Sequence, residues 1–322
     1  MRVAIWGAGN GAYRAIDGVD TKLHTIVCLI DSNRELAGQV KNGIVVSHFS
    51  EVKIDLVDCF INTTCHFEEI QRTIDEEWGD FPKDKVFRSI KHFWAYEYVN
   101  IAHTEIKQNP IYQILQEKKF QLDTDKRLQY LDTYHKYFEK FKGKECVFCE
   151  IGVFHGDSLK MWKEYFGSKC KIVGIDVDWN CLHYGDDQVS IEIGSQSSPS
   201  FWKYIREKYP RIDILLDDGG HTMNQQITTY LEMFPHLNRG GIYLCEDIFT
   251  SFWRNYDEND KGKTFLDFSK EIVLEMEEAF WPEAATYHAG LSKDVEAIHF
   301  HQGIIVFEKN KTYSRIENIL LR

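Results

Sequence analysis

Two acidic pairs and a histidine carry the strongest chemical signal in the chain. Asp217-Asp218 closes the apolar run Ile212–Leu216, Glu246-Asp247 closes Ile242–Cys245, and His221 follows Asp218 by three residues. Short apolar runs that end in polar residues read as buried strands of a parallel sheet, whose ligands bind beyond the carboxyl ends of the strands. Neighbouring strands lie about 4.8 Å apart. If these two are neighbours, four carboxylates and an imidazole converge at one rim. Such crowding is costly unless a cation relieves it, so the expectation is a divalent-metal site with a base beside it.

Upstream, the strand pattern Cys146–Ile151 runs into Glu150-Ile151-Gly152-Val153-Phe154-His155-Gly156-Asp157-Ser158, and a helical pattern begins directly after it. Glycines let the backbone approach a ligand closely, and the helix start favours negative charge. The next strand, Lys171–Ile175, ends in Asp176, where an acid can accept hydrogen bonds from both ribose hydroxyls of a nucleoside. The loop lacks the GxGxxG spacing suited to a pyrophosphate, since Phe154 occupies a crowded position. That favours a nucleoside without a diphosphate, such as S-adenosylmethionine.

These residues need a frame to hold them. In the C-terminal half, strands at Cys146–Ile151, Lys171–Ile175, Val189–Ile193, Ile212–Leu216 and Ile242–Cys245 precede a hairpin, Glu296–His301 and Gly303–Phe307, turning at Gln302-Gly303. Five parallel strands followed by a hairpin is the order of a class I methyltransferase sheet. The N-terminal half reads Val3–Trp6, a glycine loop, a helix to Ile16, then Thr25–Ile30 ending in Asp31. Further strands are expected at Ile44–Val46, Leu56–Asn62 and Val86–Phe87, with a helix around Phe67–Trp78. Alternating strands and helices predict an α/β chain of two Rossmann-like, doubly wound domains. The expected division is 1–96, a helical connector 97–143, and a methyltransferase-type domain 144–322.

The combination of EIGVFHGDS, GIDVD, IDILLDDGGH and GGIYLCED resembles the metal-dependent sugar O-methyltransferases of macrolide biosynthesis, the mycinamicin and macrocin group. The resemblance covers roughly residues 124–307, including Thr124-Asp125-Lys126 and Tyr134 ahead of the first strand. The family's usual DDGSH is DDGGH here, with Gly220 in place of serine. The resemblance implies magnesium held by Asp218, Glu246 and Asp247, with His221 as general base. It implies a cofactor pocket involving Glu150, Gly152, Gly156, Ser158 and Asp176, with Gln196 beside the adenine and Asp217 in support. Phe249, Trp253 and Tyr256 would wall an acceptor pocket for a sugar or glycosylated substrate, a nucleotide-sugar included.

In the N-terminal half, Gly7, Gly9, Asn10, Gly11 and Asp31 meet the dinucleotide spacing in a strand–loop–helix context. The unit resembles the Rossmann-like domains attached to sugar-modifying acyltransferases. It is short and offers no obvious hydride-transfer residue. Nucleotide or nucleotide-sugar binding, a scaffold or dimerisation module, and an NAD-dependent oxidoreductase all stay open for it. A non-catalytic assembly protein is a further alternative for the whole chain.

The net charge of −12 argues against nucleic acid or an anionic membrane as the main partner. No stretch approaches 18 apolar residues, so no membrane span is expected. The glycine loop interrupts the first apolar run after Trp6, which is not a signal-peptide pattern. A cytoplasmic homo-oligomer with reduced thiols is expected. Cys146 and Cys149 form a lone CxxC inside a strand pattern, which does not suit zinc.

Overall fold

The computed structural model describes residues 1–117, 126–256, 262–278 and 290–312. Thr124 and Asp125 lie outside the described residues. The chain divides into two compact units, Met1–Lys107 and Gln108–Arg322, so residues 97–143 are shared between them.

The first unit holds β1 (Arg2–Trp6), β2 (Thr25–Asp31), β3 (Val40–Lys41), β4 (Ile44–His48), β5 (Cys59–Asn62) and β6 (Val86–Phe87). They form one sheet in the order β3-β4-β2-β1-β5-β6, parallel except where β3 runs against β4. Side chains alternate across the pleat. Val3 and Ile5 pack with Leu29 and Ile61 under the helices Asn10–Gly18 and Ile90–Glu97, whereas Ala4 and Trp6 pack with Ile30 and Phe60 under Phe67–Glu77. Burial on both faces explains why these strands read as continuous apolar runs. The expected strand at Leu56–Asn62 starts later, at Cys59, because Ile54–Leu56 forms a single 3₁₀ turn.

The second unit holds β7 (Cys146–Ile151), β8 (Cys170–Asp176), β9 (Val189–Ile193), β10 (Ile214–Asp217), β11 (Ile242–Cys245), β12 (Val295–His301) and β13 (Ile304–Lys309). Their order is β12-β13-β11-β10-β7-β8-β9. Strands β7 to β11 are mutually parallel, and β13 inserts antiparallel between β11 and β12. Strand β10 begins two residues later than its apolar run suggests. Asp213, just ahead of it, bonds through its backbone to Val147 and Ile242 and also uses its carboxylate to accept from Val147 N and Asn238 Nδ2.

One face is filled by the helices Pro199–Lys208, Met223–Met233 and Phe265–Glu278, with Trp202, Tyr230 and Phe268 among the buried residues. The other carries Leu131–Phe138 and Asp157–Phe166, whose Tyr134, Phe138, Trp162 and Phe166 pack as an aromatic cluster with Phe148. Register then positions the site. Ile151, Asp217 and Cys245 stand level across β7, β10 and β11. Gly152, Asp218 and Glu246 therefore leave the sheet side by side.

Candidate active site

Beyond those strand ends lies a cleft of about 540 Å³, lined by Gly152, Asp176, Asp218, His221, Glu246 and Asp247 among others. That size suits a small molecule or cofactor. Its rim is built from strained backbone: Phe154, His221 and Asp247 have φ of 49°, 58° and 55°, three of the four non-glycine residues with positive φ among those described. Each such residue costs about 1–3 kcal/mol and persists where the surroundings over-determine it. His221 is fixed from two sides. Thr250 Oγ1 donates to its carbonyl at 3.0 Å, and Thr222 directly after it caps the helix Met223–Met233 in a reciprocal capping box with Gln225.

At the acid rim, His221 Nε2 lies 3.9 Å from Asp218 Oδ1 and 3.8 Å from Asp247 Oδ2. One ligand atom from each of these three residues falls within 4.8 Å of the others. His221 Nδ1 is buried and makes no hydrogen bond, so Nε2 is the nitrogen turned to the carboxylates. Glu246 sits deeper and is nearly inaccessible. Burial pushes its carboxyl well above the usual range, the Asp218 charge adds to this, and Lys126 opposes it. The donor set is carboxylate-rich, which fits a hard cation such as magnesium, whose preference is for oxygen ligands.

Three further residues converge on these acids. Lys126 Nζ reaches Asp218 Oδ2 at 2.6 Å, Glu246 Oε1 at 3.0 Å and Glu150 Oε1 at 3.2 Å. Burial alone would lower its pKa, but the three carboxylates hold it well above the usual value. Tyr130 OH donates to Asp247 Oδ1 at 2.9 Å. Arg127 Nε lies 3.6 Å from the same oxygen, with its guanidinium over the Phe249 ring. Sequence reasoning named Lys126 only within the family resemblance and did not single out Tyr130 or Arg127. Each lies more than 90 residues from Asp218, Glu246 or Asp247, and no spacing rule links them. Phe249, Trp253 and Tyr256 do come together, with ring centroids 5.2 and 5.4 Å apart along the series.

At the other end of the cleft, Asp176 Oδ2 accepts from Val153 N at 2.9 Å and Phe154 N at 3.0 Å, while Oδ1 accepts from Asp178 N. Burial would raise its pKa, but the backbone donors outweigh this and lower it. Gly152 has φ of 95°, and a Cβ there would lie 2.0 Å from the Asp218 carbonyl, so only glycine allows loop and acid to approach this closely. Gly156 has φ of 71° and precedes the helix Asp157–Phe166. Ser158 Oγ lines the turn and donates to Glu150 Oε2.

Glu150, Gln196 and Asp217 were grouped with the cofactor on sequence grounds. All three are buried with their polar atoms engaged inside the protein. Glu150 also accepts from Trp162 Nε1. Asp217 accepts from Gln196 Nε2 and Tyr243 OH, both at 2.9 Å. Gln196 gives its other amide hydrogen to Thr229 Oγ1 and accepts from Gly220 N. Gln196 thus ties β10 to the loop bearing His221. Gln196→Ala would free the Gly220 N–H and remove a donor from the buried Asp217. Gly220 is exposed and water can replace its lost partner, but under-satisfying the buried Asp217 costs about 1–3 kcal/mol, so a lower urea midpoint is expected; an unchanged midpoint would contradict this bracing role.

In the first unit, the glycine loop shows a similar local arrangement. Asp31 Oδ2 accepts from Ala8 N at 3.1 Å, and Lys41 Nζ donates to the Ala8 carbonyl at 2.6 Å. Gly7 has φ of 104°, and a Cβ on Gly11 would lie 2.5 Å from the Thr63 carbonyl. Gly9 has open space at its Cβ position, and Asn10 begins the helix.

The chain resembles several sugar O-methyltransferases in sequence. It is 30% identical over 190 residues to the 8-demethyl-8-alpha-L-rhamnosyl tetracenomycin-C 2'-O-methyltransferase of Streptomyces olivaceus, covering 56% of this chain and 50% of that protein. It is 28% identical over 188 residues to the demethylmacrocin O-methyltransferase of Streptomyces fradiae, covering 55% and 47%. This chain spans about half the length of the curated relatives it matches. Among solved structures, the MycE methyltransferase of mycinamycin biosynthesis, in complex with Mg and SAH, superposes with a TM-score of 0.56 at 23% identity, covering 62% of this chain and 54% of that one. No protein-family profile matches. Over that share of the chain the fold is that of the MycE methyltransferase, and the sheet order of the second unit is that of a class I methyltransferase; no helix among the described residues is long and apolar enough to cross a membrane.

Proposed function

We propose that this chain, whose second unit has the class I methyltransferase fold, is an S-adenosylmethionine- and magnesium-dependent O-methyltransferase acting on a sugar hydroxyl. The observation that carries the reading is the convergence, in one cleft, of a glycine loop, Asp176, three rim carboxylates and His221. The sequence likeness to sugar O-methyltransferases supports the acceptor class.

When bound, the sulfonium supplies an electrophilic methyl group, and the metal supplies Lewis acidity toward an acceptor diol. Asp218, Glu246 and Asp247 would hold the metal. Asp176 orients the ribose, and the loop from Gly152 to Gly156 cradles the methionine end. His221 Nε2 accepts the proton that the hydroxyl loses, a role typically worth about 10²–10⁴ in rate. The aromatic series Phe249, Trp253 and Tyr256, which is not part of the cleft's lining, would wall the acceptor from outside it. Glu150 and Asp217 hold the contacting residues in place from behind, and Gln196, which lines the cleft, would stand beside the adenine.

Calorimetry with S-adenosylmethionine tests the cofactor assignment, with stoichiometric binding expected. Asp176→Ala should weaken that binding about tenfold or more, since a charge-assisted hydrogen bond and the loop's own anchor are lost together. Unchanged affinity would place the ribose elsewhere. In the first unit, the contact from Asp31 to the loop supports a nucleoside-type or scaffolding role. Titration with NAD and nucleotide-sugars separates the two, with saturable binding abolished by Gly9→Trp expected for the first.

A further inference from the structure

Lys126 is the one cation among the described residues placed within 3.2 Å of three carboxylates. Its side chain is 5% exposed, and the Tyr134 ring lies 5.6 Å from Nζ. Water therefore does little to screen its charge. It takes one oxygen from each of two rim acids, Asp218 Oδ2 and Glu246 Oε1, and leaves Asp218 Oδ1 turned toward His221. A mobile counter-ion would not divide the oxygens in this fixed way.

We infer that Lys126 is a positioning residue that sets the metal affinity of the site: a tethered cation that holds Asp218 and Glu246 together and opposes a divalent ion bound to the same carboxylates. This rests on the metal-dependent reading proposed above. Two effects compete when Lys126 is removed. Loss of the tether loosens two side chains, which weakens metal binding modestly. Loss of a unit positive charge a few ångströms from a divalent cation removes a repulsion that, at such distance and burial, is the larger effect. The net consequence is tighter binding. The same tether links the rim to Glu150, which in turn holds Ser158 and Trp162 at the start of the helix Asp157–Phe166.

Lys126→Met keeps the length of the side chain without the charge, and Lys126→Arg keeps the charge. Isothermal titration of the metal-free full chain with Mg²⁺ should give an affinity at least about tenfold higher for Lys126→Met than for the natural protein, with Lys126→Arg within about threefold of it. Lys126→Met should also melt at a lower temperature without metal and recover more of that loss on adding Mg²⁺. Should Lys126→Met be too unstable to titrate without metal, dilution of protein kept in Mn²⁺, with free Mn²⁺ read by electron paramagnetic resonance, gives the Mn²⁺ affinity of each protein, expected to be higher for Lys126→Met by the same factor. An Mg²⁺ affinity for Lys126→Met equal to or weaker than the natural protein's overturns the inference, since a purely structural lysine would give that result. If the natural protein itself binds no Mg²⁺ or Mn²⁺, the metal-dependent reading fails first, and the two failures are thereby distinguished.

Discussion

With His221 replaced by alanine, kcat is expected to fall by about 10²–10⁴ while the affinity for S-adenosylmethionine stays within about twofold. The split follows from where the ring sits. Nε2 faces Asp218 and Asp247, and Nδ1 is buried, so the imidazole contributes a proton acceptor at the acid rim. The cofactor end is organised instead by Asp176 and the Gly152 loop. His221 also occupies the left-handed region, which alanine tolerates poorly. His221→Asn separates this backbone effect from loss of the base, because asparagine adopts that conformation more readily and cannot replace imidazole at neutral pH. Both variants should lose kcat alike. A large loss of cofactor affinity in His221→Asn would put the residue in the wrong role.

Removal of divalent metal should have an effect at least as large. Excess EDTA is expected to lower turnover by about 10³ or more, since Lewis-acid assistance is worth several kcal/mol and each 1.36 kcal/mol is tenfold. Mg²⁺ in excess of the chelator should restore it. The expectation rests on Asp218 and Asp247 clustering with His221, and on Glu246 lining the same cleft. Asp247→Asn should mimic chelation without loss of fold, because Tyr130 OH can still donate to the amide oxygen. Full turnover in EDTA would contradict a metal role for all three acids.

Much of this site is legible in the sequence. Apolar runs located β7 to β11 closely, because both faces of a parallel sheet are largely buried and most residues in each run are apolar, with Lys171, Ser190 and Glu192 falling on β8 and the edge strand β9. The acids at their ends followed, since the pleat and register bring them level. The division of labour between Asp217 and Asp218 was less legible. Adjacent strand-end residues point in opposite directions, and only the structure shows Asp217 turned inward to Gln196 and Tyr243 while Asp218 meets the cleft. Lys126 and Tyr130 lie far beyond the reach of periodicity. Their contacts with the rim acids span 92 to 120 residues of sequence and depend on the segment ahead of β7 folding back over the rim. In the first unit, β3 escaped notice because two half-exposed residues have no pattern to show.

The central claim is transfer of a methyl group from a sulfonium to a sugar oxygen under metal control. The most direct test incubates the protein with methyl-deuterated S-adenosylmethionine, Mg²⁺ and a panel of nucleotide-sugars and sugar glycosides, read by mass spectrometry. The account predicts that at least one acceptor gains a single labelled methyl group on oxygen, and that none does in excess EDTA. Failure to bind S-adenosylmethionine, or labelled product formed equally well in EDTA, would contradict it.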